Sequence, residues 1–273
     1  MTLRFSARLL ACALALGATG VGSAGPGYNV LIVANDTVSD TAATTLSGYL
    51  TAASYSVPPT PSATVPAGSL ASYKQIWDLR YQTALSGTDI TAYVAYLAGG
   101  GSLFVMGEND NIAFQPRDNS IVTLIGAAGG GSLTLSSVGN GSANLQIVQP
   151  PFTGPNSVVS VTFQAIGGFS TLGAGAAVTL DSSHIAGSVV FAPGTLSQAP
   201  DGTLIAVLDV NFLYSPSGGV NTVPFAENLI AFLAAPLPLL FPAPAPALST
   251  WAMLVLAAGL VVIGFSLRRS KIA

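Results

Sequence analysis

The chain has 273 residues and a formal net charge of −3; half of its residues are apolar and only 7% are charged. That apolar content excludes a disordered chain. Five of the eight basic residues lie near the two ends, so residues 25–250 carry three basic residues against eleven acidic ones, a net charge of −8. An acidic segment with three scattered cations argues against nucleic-acid binding, which needs basic patches to contact phosphates.

The first 24 residues have the pattern of a secretory signal peptide. Two arginines open the segment, an apolar run follows over residues 9–21, and the small residues 22–24 provide a cleavage site. We therefore expect the exported chain to begin near Gly25. Cys12 is the only cysteine and lies within this segment, so the exported chain has neither a disulfide nor a cysteine nucleophile.

The first half of the exported part predicts alternating strands and helices. Continuous apolar runs rich in β-branched and aromatic residues indicate strands, and apolar residues at helical spacing indicate helices. Thr88 is the expected cap of the second helix, and the glycines at 99–101 end it. The expected elements are a strand at 29–33, a helix at 41–53, strands at 55–57 and 73–79, a helix at 89–97 and a strand at 102–106. This order predicts a parallel sheet with right-handed crossovers.

The pattern of the second half of the exported part indicates more strands and fewer helices than the first half. It opens with a Gly/Ser-rich stretch at 126–141 and closes with a helix at 225–233. The strands expected between them are at 145–148, 157–163, 176–180, 188–191 and 203–209. The predicted fold class is therefore α/β, with a mostly parallel sheet flanked by helices and a β-rich second half.

Two stretches resemble the class I glutamine amidotransferase-like fold, which is flavodoxin-like in its layers. They are Tyr93-Val-Ala-Tyr-Leu-Ala-Gly-Gly-Gly-Ser-Leu-Phe-Val-Met-Gly107 and Gly202-Thr-Leu-Ile-Ala-Val-Leu-Asp-Val-Asn-Phe-Leu213. The resemblance covers about residues 29–233. Catalytic members of that family carry a cysteine after the strand that here ends in Met106-Gly107-Glu108-Asn109. The resemblance thus implies the fold without the amidotransferase chemistry, and no catalytic residue is assigned.

The best candidate site follows the strand at 102–106. Glu108 and Asp110 lie just beyond its carboxyl end, where open α/β sheets bind ligands, and Asp118 is an additional candidate for the same site. Asp36 follows the first strand on the same expected edge. Oxygen-rich clusters of this kind suit Ca²⁺ in an exported protein. Two interpretations stay open, a ligand or metal site and a solvated polar loop. No cofactor is expected.

The C-terminal part predicts a spacer and a membrane anchor. Five prolines over residues 235–247 indicate a stiff, extended spacer, about 37 Å long in polyproline geometry. Residues 248–267 carry no charge, and a helix of that length spans a bilayer. The basic residues that follow mark its cytoplasmic end by the positive-inside rule. These residues are Arg268, Arg269 and Lys271.

The start of this anchor resembles the IPTL-CTERM sorting domain of Gram-negative bacteria. The matching positions of Ala245-Pro-Ala-Leu-Ser-Thr-Trp-Ala252 are Pro246, Leu248, Ser249 and Trp251. Alanines stand at the first, third and eighth positions of the motif, where the family has other residues. The resemblance implies that an exosortase-type membrane enzyme cuts near the motif and that the exported domain reaches the cell surface. The alternative is a permanent single-span anchor in the inner membrane, with the domain in the periplasm.

The sequence thus predicts four parts: a signal peptide at 1–24, an exported α/β domain at 25–234, the spacer at 235–247 and the sorting signal with its transmembrane helix and basic tail at 248–273. The expected partners are the processing enzyme and the lipid bilayer. The predicted function is a non-catalytic structural or ligand-binding role at the bacterial envelope. Two alternatives remain, a hydrolase that uses carboxylates such as Glu108 and Asp209, and a Ca²⁺-dependent adhesion module.

Overall fold

The computed structural model describes residues 29–68, 70–138 and 143–234. The predicted signal peptide, spacer, sorting motif and transmembrane helix lie outside these residues. None of the helices in the described ranges combines the length and the apolar character needed to cross a membrane.

An eight-stranded sheet forms the centre of the domain. Its parallel half contains β1 (Val30–Val33), β2 (Gln75–Asp78), β3 (Ser102–Met106) and β10 (Thr203–Val207), in that order across the sheet. From β10 onwards the neighbours are antiparallel, in the order β9 (Ser188–Phe191), β8 (Ala176–Leu180), β5 (Asn144–Val148) and β6 (Ser160–Phe163). The prediction of an α/β fold with a β-rich second half is confirmed. The sheet, predicted to be mostly parallel, is mixed, because the strands beyond β10 pair antiparallel.

Two hydrophobic cores cover the two faces of this sheet. On one face, α1 (Thr37–Ala52), α4 (Asn211–Tyr214) and α5 (Thr222–Ala234) pack over a core that contains Trp77 and Phe104. On the other face lie α2 (Gly87–Ala98), α3 (Gln115–Ala127) and a two-stranded ribbon of β4 (Leu133–Ser136) and β7 (Gly168–Leu172). Because helices cover both faces, the central strands are buried on both sides, which explains their continuous apolar runs.

Several element boundaries differ from the sequence prediction, mostly because of capping. Helix α1 starts at Thr37, since the Asp36 carboxylate accepts the backbone N–H groups of Val38 and Ser39. Ser86 caps α2, so the prediction of Thr88 as the cap was wrong. Residues 55–57 form no strand, and α3, α4, β4 and β7 were not predicted.

A buried charge cluster fixes α3 against the carboxyl ends of β2 and β3. Arg117 of α3 is fully buried; its Nε donates to Met106 O at 2.8 Å, and its guanidinium pairs with the Asp78 carboxylate at 3.2 Å. Arg80 and the Tyr93 hydroxyl bind the same carboxylate at 2.6 and 2.8 Å. Burial raises the pKa of Asp78, but the attraction of Arg117 and the hydrogen bonds from Arg80 outweigh it and hold that pKa below its ordinary value.

Replacing Arg117 tests how much of the stability depends on this cluster. Arg117→Ala should lower the free energy of unfolding by about 3–5 kcal/mol, because it removes one partner of a buried ion pair and leaves buried acceptors unpaired. The measurement is urea unfolding of the full-length protein in detergent. Lys74→Ala, at an exposed cation, is the control and should change stability by about 0.5 kcal/mol or less. A loss below about 1 kcal/mol for Arg117→Ala would contradict the assigned role of the cluster.

Candidate functional site

A cavity of about 270 Å³ lies beyond the carboxyl ends of β3 and β10. Its walls come from the loop after β3, the start of α3, the β4–β7 ribbon and the segment before β7. The lining includes Glu108, Asp110, Gln115, Asp118, Asn119, Ser136, Gly167 and Leu208. This is the edge of the sheet where the sequence analysis expected a site.

Glu108 is the deepest acidic group in the wall of this cavity. The residue is only 2% exposed, and its Oε2 accepts the backbone N–H of Val210 at 3.0 Å. Its Oε1 accepts from Asn109 Nδ2 at 3.0 Å. Burial, and next the nearby Asp209 carboxylate, raise the pKa of Glu108 well above the ordinary value of a glutamic acid. The carboxyl is therefore held in place by two donors and favours its protonated form.

Asp118 contributes the second buried carboxyl of the cavity wall. It lies in the first turn of α3 and its Oδ1 accepts the backbone N–H of Glu108 at 3.1 Å. Burial raises the pKa of Asp118 to about 7, against hydrogen bonding from Glu108 and the charge of Arg117, which lower it. Gly107 makes this approach possible, because a Cβ at that position would overlap Asp118 Oδ1 and the side chain of Leu208.

Asp209 is not part of the cavity lining. It is fully buried, with Oδ2 accepting Gln164 N at 3.0 Å and Oδ1 accepting Asn211 N at 2.7 Å. Burial raises its pKa, while these hydrogen bonds lower it. Glu108 and Asp209 follow adjacent parallel strands, so the sheet itself places two carboxyl groups within electrostatic reach of each other.

The structure brings only part of the predicted acidic set together. Glu108 and Asp110 line the cavity, and Asp110 Oδ1 is buried without a hydrogen-bond partner among the described residues. Asp36 does not line the cavity, and its carboxylate caps the N-terminus of α1 instead. Across the described ranges, no three His, Cys, Asp or Glu side chains are grouped closely enough to hold a metal ion.

His184, the single histidine of the sequence, lies in an exposed turn and does not line this cavity. The Asp181 carboxylate accepts the backbone N–H groups of Ser183 and Ile185, and His184 has a positive φ of 62°. The segment Asp181-Ser-Ser-His184 is therefore a self-contained turn in which the aspartate orients backbone rather than the imidazole.

The sequence analysis named Asp118 as an additional candidate but did not predict α3, the helix that places it in the cavity wall. Pro116 at the start of that helix and Asp118 in its first turn were the available signals. Residues 115–127 show little apolar periodicity, because the buried face of the helix includes the polar residues Arg117, Asp118 and Ser120. The helix was therefore not predicted.

Comparisons with known proteins support the fold alone. No protein-family model and no curated protein matches the sequence. The N-terminal domain of mmIFT52 is similar over 76% of this chain and 97% of its own, with 13% identity and a TM-score of 0.56. A glutamine amidotransferase from Thermotoga maritima is similar over 75% of this chain and 97% of its own, with 8% identity and a TM-score of 0.48. A putative ThuA-like protein from Bacteroides uniformis is similar over 80% of this chain and 95% of its own, with 12% identity and a TM-score of 0.47.

The raised pKa of Asp118 predicts a pH dependence of stability. A carboxyl whose folded pKa is raised binds its proton more tightly in the folded state, so its contribution is present at low pH and is lost as the pH rises from about 4 to about 7. Each such group contributes a slope of up to about 1.4 kcal/mol per pH unit in that window. Asp118→Asn, which keeps an acceptor for Glu108 N, should reduce the fall in Tm between pH 5 and 7.5.

Thermal unfolding of the full-length protein at a series of pH values measures this effect. Asp201→Asn, at an exposed carboxylate, is the matched control and should retain the wild-type slope. An Asp118→Asn slope equal to that of the wild type would show that Asp118 does not carry the dependence.

Proposed function

We propose that the protein is an exported bacterial envelope protein whose α/β domain binds a small polar ligand in the cavity at Glu108 and Asp118. The observation that carries the proposal is the pair of buried carboxyl groups in one wall of an open cavity. Each of these two carboxyl groups accepts a backbone N–H and is thereby held in position before any ligand arrives. Such preorganisation favours binding, since little side-chain freedom remains to be lost.

The size and the chemistry of the cavity define the ligand class. A volume of about 270 Å³ is slightly below the usual range for ligand pockets, so it fits a small molecule or one unit of a larger one. A protonated carboxyl both donates and accepts hydrogen bonds. The wall at Glu108, Asp118, Asn119 and Ser136 therefore suits a neutral, hydroxyl-rich group better than an anion.

The amidotransferase-like interpretation of the fold belongs to this proposal as well. Glu108 follows β3 and its backbone N–H is bound by Asp118, at the place where the resemblance would put a nucleophilic cysteine. A carboxyl tied to two protein donors is poorly placed to attack a substrate, which supports binding without chemistry.

Ligand titration tests the binding function. Saturation-transfer NMR on the full-length protein in detergent, with glycerol, erythritol and glucose as probes, should detect at least one of these polyols at pH 6. Asp118→Ala should weaken that binding about tenfold, because it removes both the donor and the acceptor that the protonated carboxyl offers, while Asp201→Ala should leave it unchanged. Binding of a probe that Asp118→Ala and Glu108→Ala both leave intact would place it outside this cavity and contradict the proposal.

A carboxylate-dependent hydrolase is the second candidate. It is favoured by Glu108, whose raised pKa suits a general acid near neutral pH, with Asp118 as a second carboxyl in the same cavity. Asp209, the partner named from the sequence, does not line the cavity. Turnover of nitrophenyl glycosides or esters that Glu108→Gln lowers at least about 100-fold would replace the binding function with this one.

We further propose that the C-terminal segment delivers the domain to the envelope. The support is the sequence alone: the motif at Pro246, Leu248, Ser249 and Trp251, the uncharged span and the basic tail. Intact mass measurement of the native protein from membrane and surface fractions should show loss of the residues beyond the 246–251 region. A chain that ends at Ala273 and lacks only the signal peptide would instead establish a permanent single-span anchor.

A further inference from the structure

A second cavity lies between the C-terminal ends of α1 and α5. It has a volume of about 470 Å³ and is lined chiefly by aromatic and small apolar side chains. The lining includes Tyr49, Ala52, Ala53, Tyr55, Pro155, Ile230, Ala231 and Ala234, together with the polar pair Asn156 and Glu227, whose side chains are hydrogen-bonded to each other at 2.8 Å. We call this surface the tyrosine groove. It lies next to the last residue of α5, which is also the last described residue of the chain.

The walls of the tyrosine groove are fixed by buried contacts. Gln75 of β2, fully buried, donates through Nε2 to both Tyr55 Oη at 2.9 Å and Ile230 O at 3.2 Å. One amide group therefore joins the tyrosine on one wall to the helix on the other. Tyr49 and Tyr55 remain half-buried, with apolar surface open to the groove.

The chain that follows α5 has the composition that such a groove accommodates. Residues 235–247 consist solely of Ala, Pro, Leu and Phe, with prolines at 236, 238, 242, 244 and 246. Proline-rich segments favour polyproline geometry, which docks into grooves lined by aromatic side chains. Leu237, Leu239 and Phe241 are also apolar side chains that gain stability when they leave water.

We propose that residues 236–241 of the same chain bind in the tyrosine groove. Leu239 follows Ala234 by five residues, which extended chain covers with a reach of up to about 18 Å, so the segment can meet either wall. Docking would tie the start of the spacer to the domain and set the domain's orientation relative to the predicted anchor. The spacer then holds the domain off the bilayer only with the residues beyond 241.

Disulfide trapping tests this docking, because the sequence contains no cysteine other than Cys12. In full-length Cys12→Ser protein, Ala53→Cys is combined in turn with Leu237→Cys, Leu239→Cys and Phe241→Cys. The control replaces Ala53→Cys with Thr51→Cys, an exposed position in the last turn of α1, two residues earlier, that does not line the groove. Because positions 51 and 53 are joined to the 237–241 segment by the same chain, both see it at a similar effective concentration. A faster disulfide formation with position 53 therefore reports a preferred location of the segment.

At least one Ala53→Cys pair should form an intrachain disulfide about tenfold faster than its Thr51→Cys counterpart. The products are separated by non-reducing electrophoresis and mapped by peptide mass. Equal rates for both partners at all three positions would overturn the proposal. Interchain disulfides as the main product would overturn it too, since a second copy of the chain would then occupy the groove.

Discussion

The ion pair between Asp78 and Arg117 is the constraint on which the candidate site depends. Arg117 reaches from α3 beneath the ends of β2 and β3 and binds carbonyl oxygens of Met106 and Thr83 as well as the Asp78 carboxylate. The next residue of the helix, Asp118, accepts the backbone N–H of Glu108. Without the buried arginine, α3 would lose its ion pair at this edge, and the cavity wall that α3 provides would be less firmly held.

The cavity forms where the parallel half of the sheet meets its antiparallel half. β10 pairs with β3 on one side and with β9 on the other, so Glu108 and Asp209 end adjacent parallel strands. The segment before β7 crosses over this edge, and Gly167 N donates to Leu208 O at 2.7 Å. Gly167 has to lack a side chain, because a Cβ there would overlap Glu108 O. Close backbone packing thus buries the carboxyl groups and produces their raised pKa values.

The distribution of cations adds to this effect. Of the three basic residues in 25–250, Arg80 and Arg117 are both buried at the Asp78 cluster and only Lys74 is exposed. The cavity therefore has no exposed cation in its lining to compensate Glu108, Asp110 or Asp118. Protonation of the buried carboxyl groups costs less free energy than burying their charges, which supports the proposal of an uncharged, hydroxyl-bearing ligand.

The sequence by itself determined the α/β class, most of the central strands and the position of Glu108 and Asp110 beyond β3. Continuous apolar runs such as 102–106 and 203–207 are strong local signals, because strands buried on both faces need them. Only the tertiary structure decided which acidic residues share a cavity. Asp118 belongs to a helix whose buried face is partly polar, the Asp36 carboxylate caps a helix, and Asp209 does not line the cavity. Those outcomes depend on contacts between residues far apart in the chain, which periodicity and spacing do not encode.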